Sequence, residues 1–285
     1  PAIALATQRI QIGTGILNPY TINPAELAMF AATMDELSGN RFNLGLAAGA
    51  ADFLKWVGIE QATPLAATRE TILAVRQLLA GEQVTLAGKF LHWTGEAYLR
   101  FKAPRVTPIY VGAMGPKMLT LAGALADGVL PLLFPPEHYF GVKPFIDQGV
   151  ATRHPQLPAL DFAACLWVSL AEDGSAARRV LAQKIAYYGH ALGPLIYERL
   201  GVTRKDFLPI EQAIMVERDE EKAIRLVDER LLRIGVVGQP NDVIERLEPL
   251  VAAGAQHLSF GPPLGPDVLK AIPLLGRVVR HFRGK

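Results

Sequence analysis

Residues 108–130 read PIYVGAMGPKMLTLAGALADGVL. An apolar run, Ile109-Tyr110-Val111, stops at Gly112. Pro116 then opens a segment, Met118 to Leu125, whose apolar residues fall at helical spacing, and Asp127 leads into a second short apolar run. Strand, helix, strand, with both runs almost free of polar residues, is the pattern of a parallel βαβ unit. Only a crossover helix returns the chain to pair in the same direction, and the helices bury the strands on both faces.

The same alternation extends outward from this unit. Arg9 to Ile12 begins a strand, Pro24 to Leu37 a helix closed by Ser38-Gly39-Asn40, and Arg41 to Ala47 a second strand. Pro64 to Leu79 reads as an amphipathic helix with Arg69, Glu70, Arg76 and Gln77 outward, and Glu82 to Phe101 as an extended excursion. Downstream come a strand at 127–133, a helix at 136–149 and a strand at 162–171. A helical excursion over 175–232 follows, broken near Gly193-Pro194 and Leu208-Pro209. Gly238 to Asp242 opens a helix running to Ala253, and a strand at 256–260 and a closing helix at 266–282 complete the chain. Six strands alternating with helices predict an α/β fold with a parallel sheet. Pro1 to Thr7 reads as the tail of an apolar helix, so the chain starts as though mid-fold. A (β/α)8 barrel uses about 250 residues or more, so the expectation is a TIM barrel lacking its first two βα units, one domain over 1–285. An open doubly wound sheet is the alternative.

Composition narrows the function classes. Half of the 285 residues are apolar and a fifth are charged, and 29 basic against 27 acidic residues leave a net charge of only +2, too slight to imply nucleic acid. Cys165 is the only cysteine, which rules out an internal disulfide and any multi-cysteine metal site, and its expected role is core packing. No apolar run reaches a membrane span and no signal-peptide pattern opens the chain, so no membrane partner and a cytoplasmic location are expected.

Three strand ends are rich in small residues: Gly13-Thr14-Gly15-Ile16-Leu17-Asn18-Pro19, Leu46-Ala47-Ala48-Gly49-Ala50-Ala51, and Val111-Gly112-Ala113-Met114-Gly115-Pro116-Lys117. Ligands of parallel α/β folds collect at the C-terminal ends of strands. Small residues there leave a flat floor and expose backbone N–H groups, which suits a planar ring with a phosphate tail. Gly115-Pro116-Lys117 adds a helix N-terminus with a lysine beside it. Each stretch alone could equally be a tight strand-to-helix turn; the three together point to a ligand. None is a dinucleotide fingerprint, and no phosphate-loop motif is present.

These residues resemble the luciferase-like superfamily of flavin and deazaflavin oxidoreductases, in its coenzyme F420 branch. GTGILNPYTINPAELAMFAATMDELSGNRFNLGLAAG is similar to that branch's third and fourth barrel units, and the 108–130 stretch to its fifth and sixth. SFGPPLGPD near the C-terminus is similar to methylenetetrahydromethanopterin reductases in particular. The resemblance implies a barrel that holds the deazaflavin at its strand ends, with a non-prolyl cis peptide falling at Gly15-Ile16. Gly15, Ile16 and Asn18 would support the ring, and Gly49 and Ala50 would line the next loop. Gly112, Ala113, Met114, Gly115 and Lys117 would hold the acidic tail. Lys55, Arg69 and Arg105 are weaker candidates for that charge. The resemblance further implies hydride transfer to a second, small-molecule substrate, with a methylenetetrahydromethanopterin-type imine as the best single case, and a homodimer. An FMN-dependent monooxygenase and a non-catalytic binding barrel are the alternatives.

No catalytic acid is assigned: in this family it comes from the first two strands, which would lie upstream of Pro1. The six histidines are scattered, with no zinc spacing, and no metal site is expected. Asp35-Glu36 reads as packing or a salt bridge, and Trp56 as either packing or pocket lining. A site poor in motifs fits chemistry carried by a cofactor.

Overall fold

The computed structural model describes residues 1–283. The elements are α1 (Ala2–Ala6), β1 (Ile12–Gly13), α2 (Pro24–Ser38), β2 (Phe42–Leu46), α3 (Ala51–Trp56), α4 (Pro64–Leu79), β3 (Val84–Ala87), β4 (His92–Ala97), β5 (Ile109–Gly112), α5 (Pro116–Leu125), β6 (Gly128–Leu130), α6 (His138–Val150) and β7 (Asp161–Leu170). The chain continues through α7 (Gly174–Tyr188), α8 (Pro194–Leu200), α9 (Arg204–Glu211), α10 (Glu220–Arg225), α11 (Glu229–Leu232), β8 (Val236–Gly238), α12 (Pro240–Ala252), β9 (His257–Leu264) and α13 (Val268–Arg283). Internal contacts divide it into two compact units, one of residues 1–131 and 142–162, the other of 132–141 and the chain from Ala163 onward.

In the first unit β1, β2, β5 and β6 pair in that order, all parallel, with Asp161 and Phe162 of β7 beside β6. Local chemistry sets the helix ends. Asn23 accepts the Ala25 N–H at 2.9 Å, Pro24 takes the first helical position, where its missing N–H costs nothing, and Gly39 ends α2 in the left-handed region. In the second unit β8 and β9 both pair parallel to β7, and Phe134, Leu181, Ile185, Ile196, Phe207 and Leu231 centre a buried helical core.

Several expectations need correction. Residues 82–101 hold an antiparallel hairpin, β3 with β4. Glu70 does not face outward: it is 4% exposed, and its carboxylate accepts the N–H groups of Lys89 at 2.9 Å and of Phe90 and Leu91 at 2.8 Å, which close the turn of that hairpin. Burial alone would raise its pKa, but those three donors and nearby Arg69 outweigh it and hold the carboxyl below its ordinary 4.5. Arg76 is likewise not a surface charge, being paired with Asp127 at 2.6 Å. Val236–Gly238 forms a strand that the sequence reading merged into the start of a helix, so seven strands, not six, make up the parallel sheet among the described residues. The helix α9 passes through Pro209 and leads into a π-helical turn at Gln212–Val216. Among the described residues no helix is long and apolar enough to cross a membrane.

Candidate functional site

The end of β1 is pressed onto β2 with almost no side chain between them. At Gly45, in the middle of β2, an added Cβ would lie 1.9 Å from the carbonyl oxygen of Thr14 and 3.4 Å from Cγ2 of Ile16. The approach is held by a reciprocal pair: the Thr14 hydroxyl donates to the Gly45 carbonyl at 3.0 Å and accepts the Gly45 N–H at 2.8 Å. Leu17 N–H donates to the same carbonyl at 2.8 Å, and Ala47 N–H returns to Leu17 O at 3.1 Å. The Gly15–Ile16 peptide within this segment is cis.

Ile16 sits over the adjoining strand too, its Cγ2 3.7 Å from where a Cβ on Gly112 would stand, and that Cβ would also touch Ala47 at 3.0 Å. Ile16, Gly45, Ala47 and Gly112 therefore form one floor of small residues and a single branched side chain across β2 and β5. Gly45 was not among the residues singled out from sequence; a glycine inside an otherwise apolar strand was the available signal, because such a residue marks close backbone approach.

Asn18 and Gly49 make a second group. The Asn18 amide donates to Ala48 O at 3.0 Å while its carbonyl oxygen accepts the Tyr20 N–H at 2.9 Å. Gly49 has φ +74, and a Cβ there would lie 2.4 Å from the Asn18 amide nitrogen, so both conformation and space require glycine. Gln61 donates to the Ala48 and Gly49 carbonyls at 2.7 and 2.9 Å. Tyr20 donates its hydroxyl to Ala62 O, and partial burial raises its pKa. Ala50 is exposed at the head of α3.

The third group begins α5. Gly115 is its N-cap and Pro116 its first residue, with no side chain capping the free N–H groups. Lys117 is exposed and has no acidic partner among the described residues, and Met114 is 44% exposed. Ala113 is only 3% exposed, so its methyl packs inward and only its backbone is available. At Gly15 and Gly115 an added Cβ would meet nothing within 4 Å. Both glycines face open space, and no packing demand explains them.

Two weaker candidates resolve differently. Arg105 is committed to Asp35, through Nε at 3.1 Å and Nη2 at 2.8 Å, and to Phe42 O at 2.8 Å. The Asp35 carboxylate also accepts the Thr107 hydroxyl and the Phe42 N–H, so Arg105 is a structural cation and Asp35 has the salt-bridge role. Lys55 and Arg69 are exposed. Trp56 is 76% exposed and stacks against exposed Phe53 with ring centroids 4.9 Å apart, so it does not pack into a core.

The parallel strands and crossover helices define an α/β-barrel protein of the luciferase-like fold. The architecture matches the coenzyme F420-dependent tetrahydromethanopterin reductase of Methanopyrus kandleri with a TM-score of 0.87 at 30% identity, over 99% of this chain and 86% of that one. The chain belongs to the luciferase-like monooxygenase family, which it matches over residues 2–257. Among curated relatives it is similar to the 5,10-methylenetetrahydromethanopterin reductases of Archaeoglobus fulgidus and Methanolobus tindarius. The first is 35% identical over 97% of this chain and 84% of that protein, the second 33% identical over 97% and 85%. The open doubly wound alternative is set aside by these matches.

Proposed function

We propose that the chain is an F420-dependent oxidoreductase, and that the first unit holds the deazaflavin. Bound F420 supplies a ring carbon that gives or accepts a hydride. The chain's own residues bind and orient it. Ile16 backs the ring, with Gly45, Ala47 and Gly112 keeping the strand surface low enough for it to lie close. Gly15, Asn18, Gly49 and Ala50 shape the neighbouring edge. Gly112, Ala113, Met114 and Gly115 offer backbone to the tail, and the uncapped start of α5 together with Lys117 receives its negative charge.

One observation carries this reading: Gly15 and Gly115 both face open space, and Gly115 opens a helix whose start has a lysine and no capping side chain. The relatives named for F420 support the cofactor over FMN. The second substrate is a small molecule with an electrophilic carbon or imine, of the methylenetetrahydromethanopterin type. The working form is a cytoplasmic homodimer, for which the exposed Met29, Phe30 and Leu37 of α2 offer an apolar face.

The test is titration of the chain with F420 and, separately, FMN, followed by tryptophan quenching. Selective binding of the deazaflavin, weakened in Lys117→Ala, supports the reading. Preference for FMN with oxygen consumption makes the chain a monooxygenase, and binding of neither overturns the cofactor site.

A further inference from the structure

The second unit contains a cavity of about 410 Å³ lined by Pro135, Glu137, His138, Gly141, Arg199 and Arg233. Its charges do not balance. Glu137, the carboxylate on the wall, is already taken by Arg246, which reaches it with both terminal nitrogens, one at 2.9 Å. Arg199 and Arg233 form no close ion pair among the described residues; the one carboxylate acting on Arg199 is its neighbour Glu198, at longer range.

Arg199 stands apart from the other arginines. Arg41, Arg76, Arg105, Arg153, Arg178 and Arg246 are half-buried as it is, and each has at least one acceptor: Arg41 the carbonyls of Ala4, Thr7, Ile10 and Ser38, Arg153 those of Gly123, Ala126 and Pro158, and the rest carboxylates, although Arg76 Nε stays unbonded. Arg199 alone among the half-buried arginines has no hydrogen-bond acceptor. Partial burial lowers its pKa, yet none of its nitrogens is sealed from water, so its donors are free to meet a bound group.

We propose that this cavity is an oxyanion site that binds the phosphate or carboxylate group of a small molecule between Arg199 and Arg233, with the His138 ring as a hydrogen-bonding wall. Guanidinium groups suit both chemistries, because their planar donor pairs match two oxygens of either anion. Burial, and then the charge of Arg199, push the His138 pKa down to about 4, so at neutral pH the ring is uncharged and offers one donor and one acceptor.

The test titrates inorganic phosphate and malonate, each alone, into the full chain at pH 7 by calorimetry and by NMR of the His138 ring, assigned with His138→Gln. One saturable site that moves the His138 signal is expected, weakened about tenfold or more in Arg199→Gln and in Arg233→Gln and partly restored in Arg199→Lys. The tighter of the two anions identifies the group the cavity takes. If Arg199→Gln fails to fold, Arg233→Gln at its exposed position decides alone. An F420 titration on the same samples separates the two readings. F420 binding without saturable anion binding, or anion binding indifferent to the arginine changes, overturns the oxyanion site. Anion binding without F420 binding supports the oxyanion site and overturns the F420 reading of the first unit.

Discussion

Replacing Gly45 by alanine tests whether the floor depends on close backbone approach. The new Cβ would stand 1.9 Å from Thr14 O, an atom of the main chain that cannot rotate away. Restoring ordinary contact opens the two strands by about 1 Å or more, an overpacking cost of roughly 1–3 kcal/mol. The same movement stretches the Thr14–Gly45 pair at 3.0 and 2.8 Å and the Leu17–Gly45 bond at 2.8 Å, each worth about 0.5–1.5 kcal/mol net. Because these terms overlap, the expected loss is about 2–4 kcal/mol, which lowers the melting temperature by roughly 3–7 °C. F420 affinity falls as well, since Ile16 shifts with its strand. Gly115→Ala is the contrasting variant: its methyl enters open space, so stability changes by less than about 1 kcal/mol while F420 binding weakens. Calorimetric melting and fluorescence titration of both variants provide the measurement. A Gly45→Ala protein as stable as the parent, or a Gly115→Ala protein that binds F420 unchanged, refutes the reasoning for that position.

Lys117→Ala should raise the F420 dissociation constant about tenfold, near 1.4 kcal/mol, leave the melting temperature unchanged, and show a smaller difference at high salt. Glu70→Gln should cost about 1.5–3 kcal/mol by urea unfolding, because the amide turns a donor toward backbone N–H groups. As the folded Glu70 pKa lies below 4.5, its contribution is present above pH 4.5 and is lost as pH falls through the folded value, so parent and variant should converge in acid. Asp35→Asn removes the buried partner of Arg105 and should cost about 3–5 kcal/mol in the same assay.

The helices were legible where proline or glycine punctuates them, as at Pro24, Gly39, Pro64 and Pro116, because those residues act through their own backbone. What escaped was set by distant partners. Glu70 looks like one more charge on a polar helix face, and only the hairpin turn, some twenty residues on, shows why it turns inward. β8 has three residues, too few for any periodicity. Gly45 is hidden inside an apolar run, and its reason lies on the neighbouring strand at Thr14. The strand-end glycines were legible as a set, whereas the oxyanion cavity was not: His138, Arg199 and Arg233 are far apart in sequence and carry no shared motif.

The two candidate sites follow from one principle applied to opposite kinds of residue. In the first unit the distinguishing feature is a missing side chain, at Gly15 and Gly115, where packing makes no demand and open space remains. In the second it is a side chain without a hydrogen-bond partner, Arg199, where each of the other half-buried arginines has at least one acceptor. A folded chain closes voids and satisfies buried polar groups wherever its own atoms can do so. We read the open glycines and the unpaired arginine as places where another molecule completes the structure: a flat ring and its charged tail against the glycines, and an oxyanion against the arginine. Hydride chemistry asks little of the protein at the reacting atom, because that atom belongs to the cofactor and the protein supplies position.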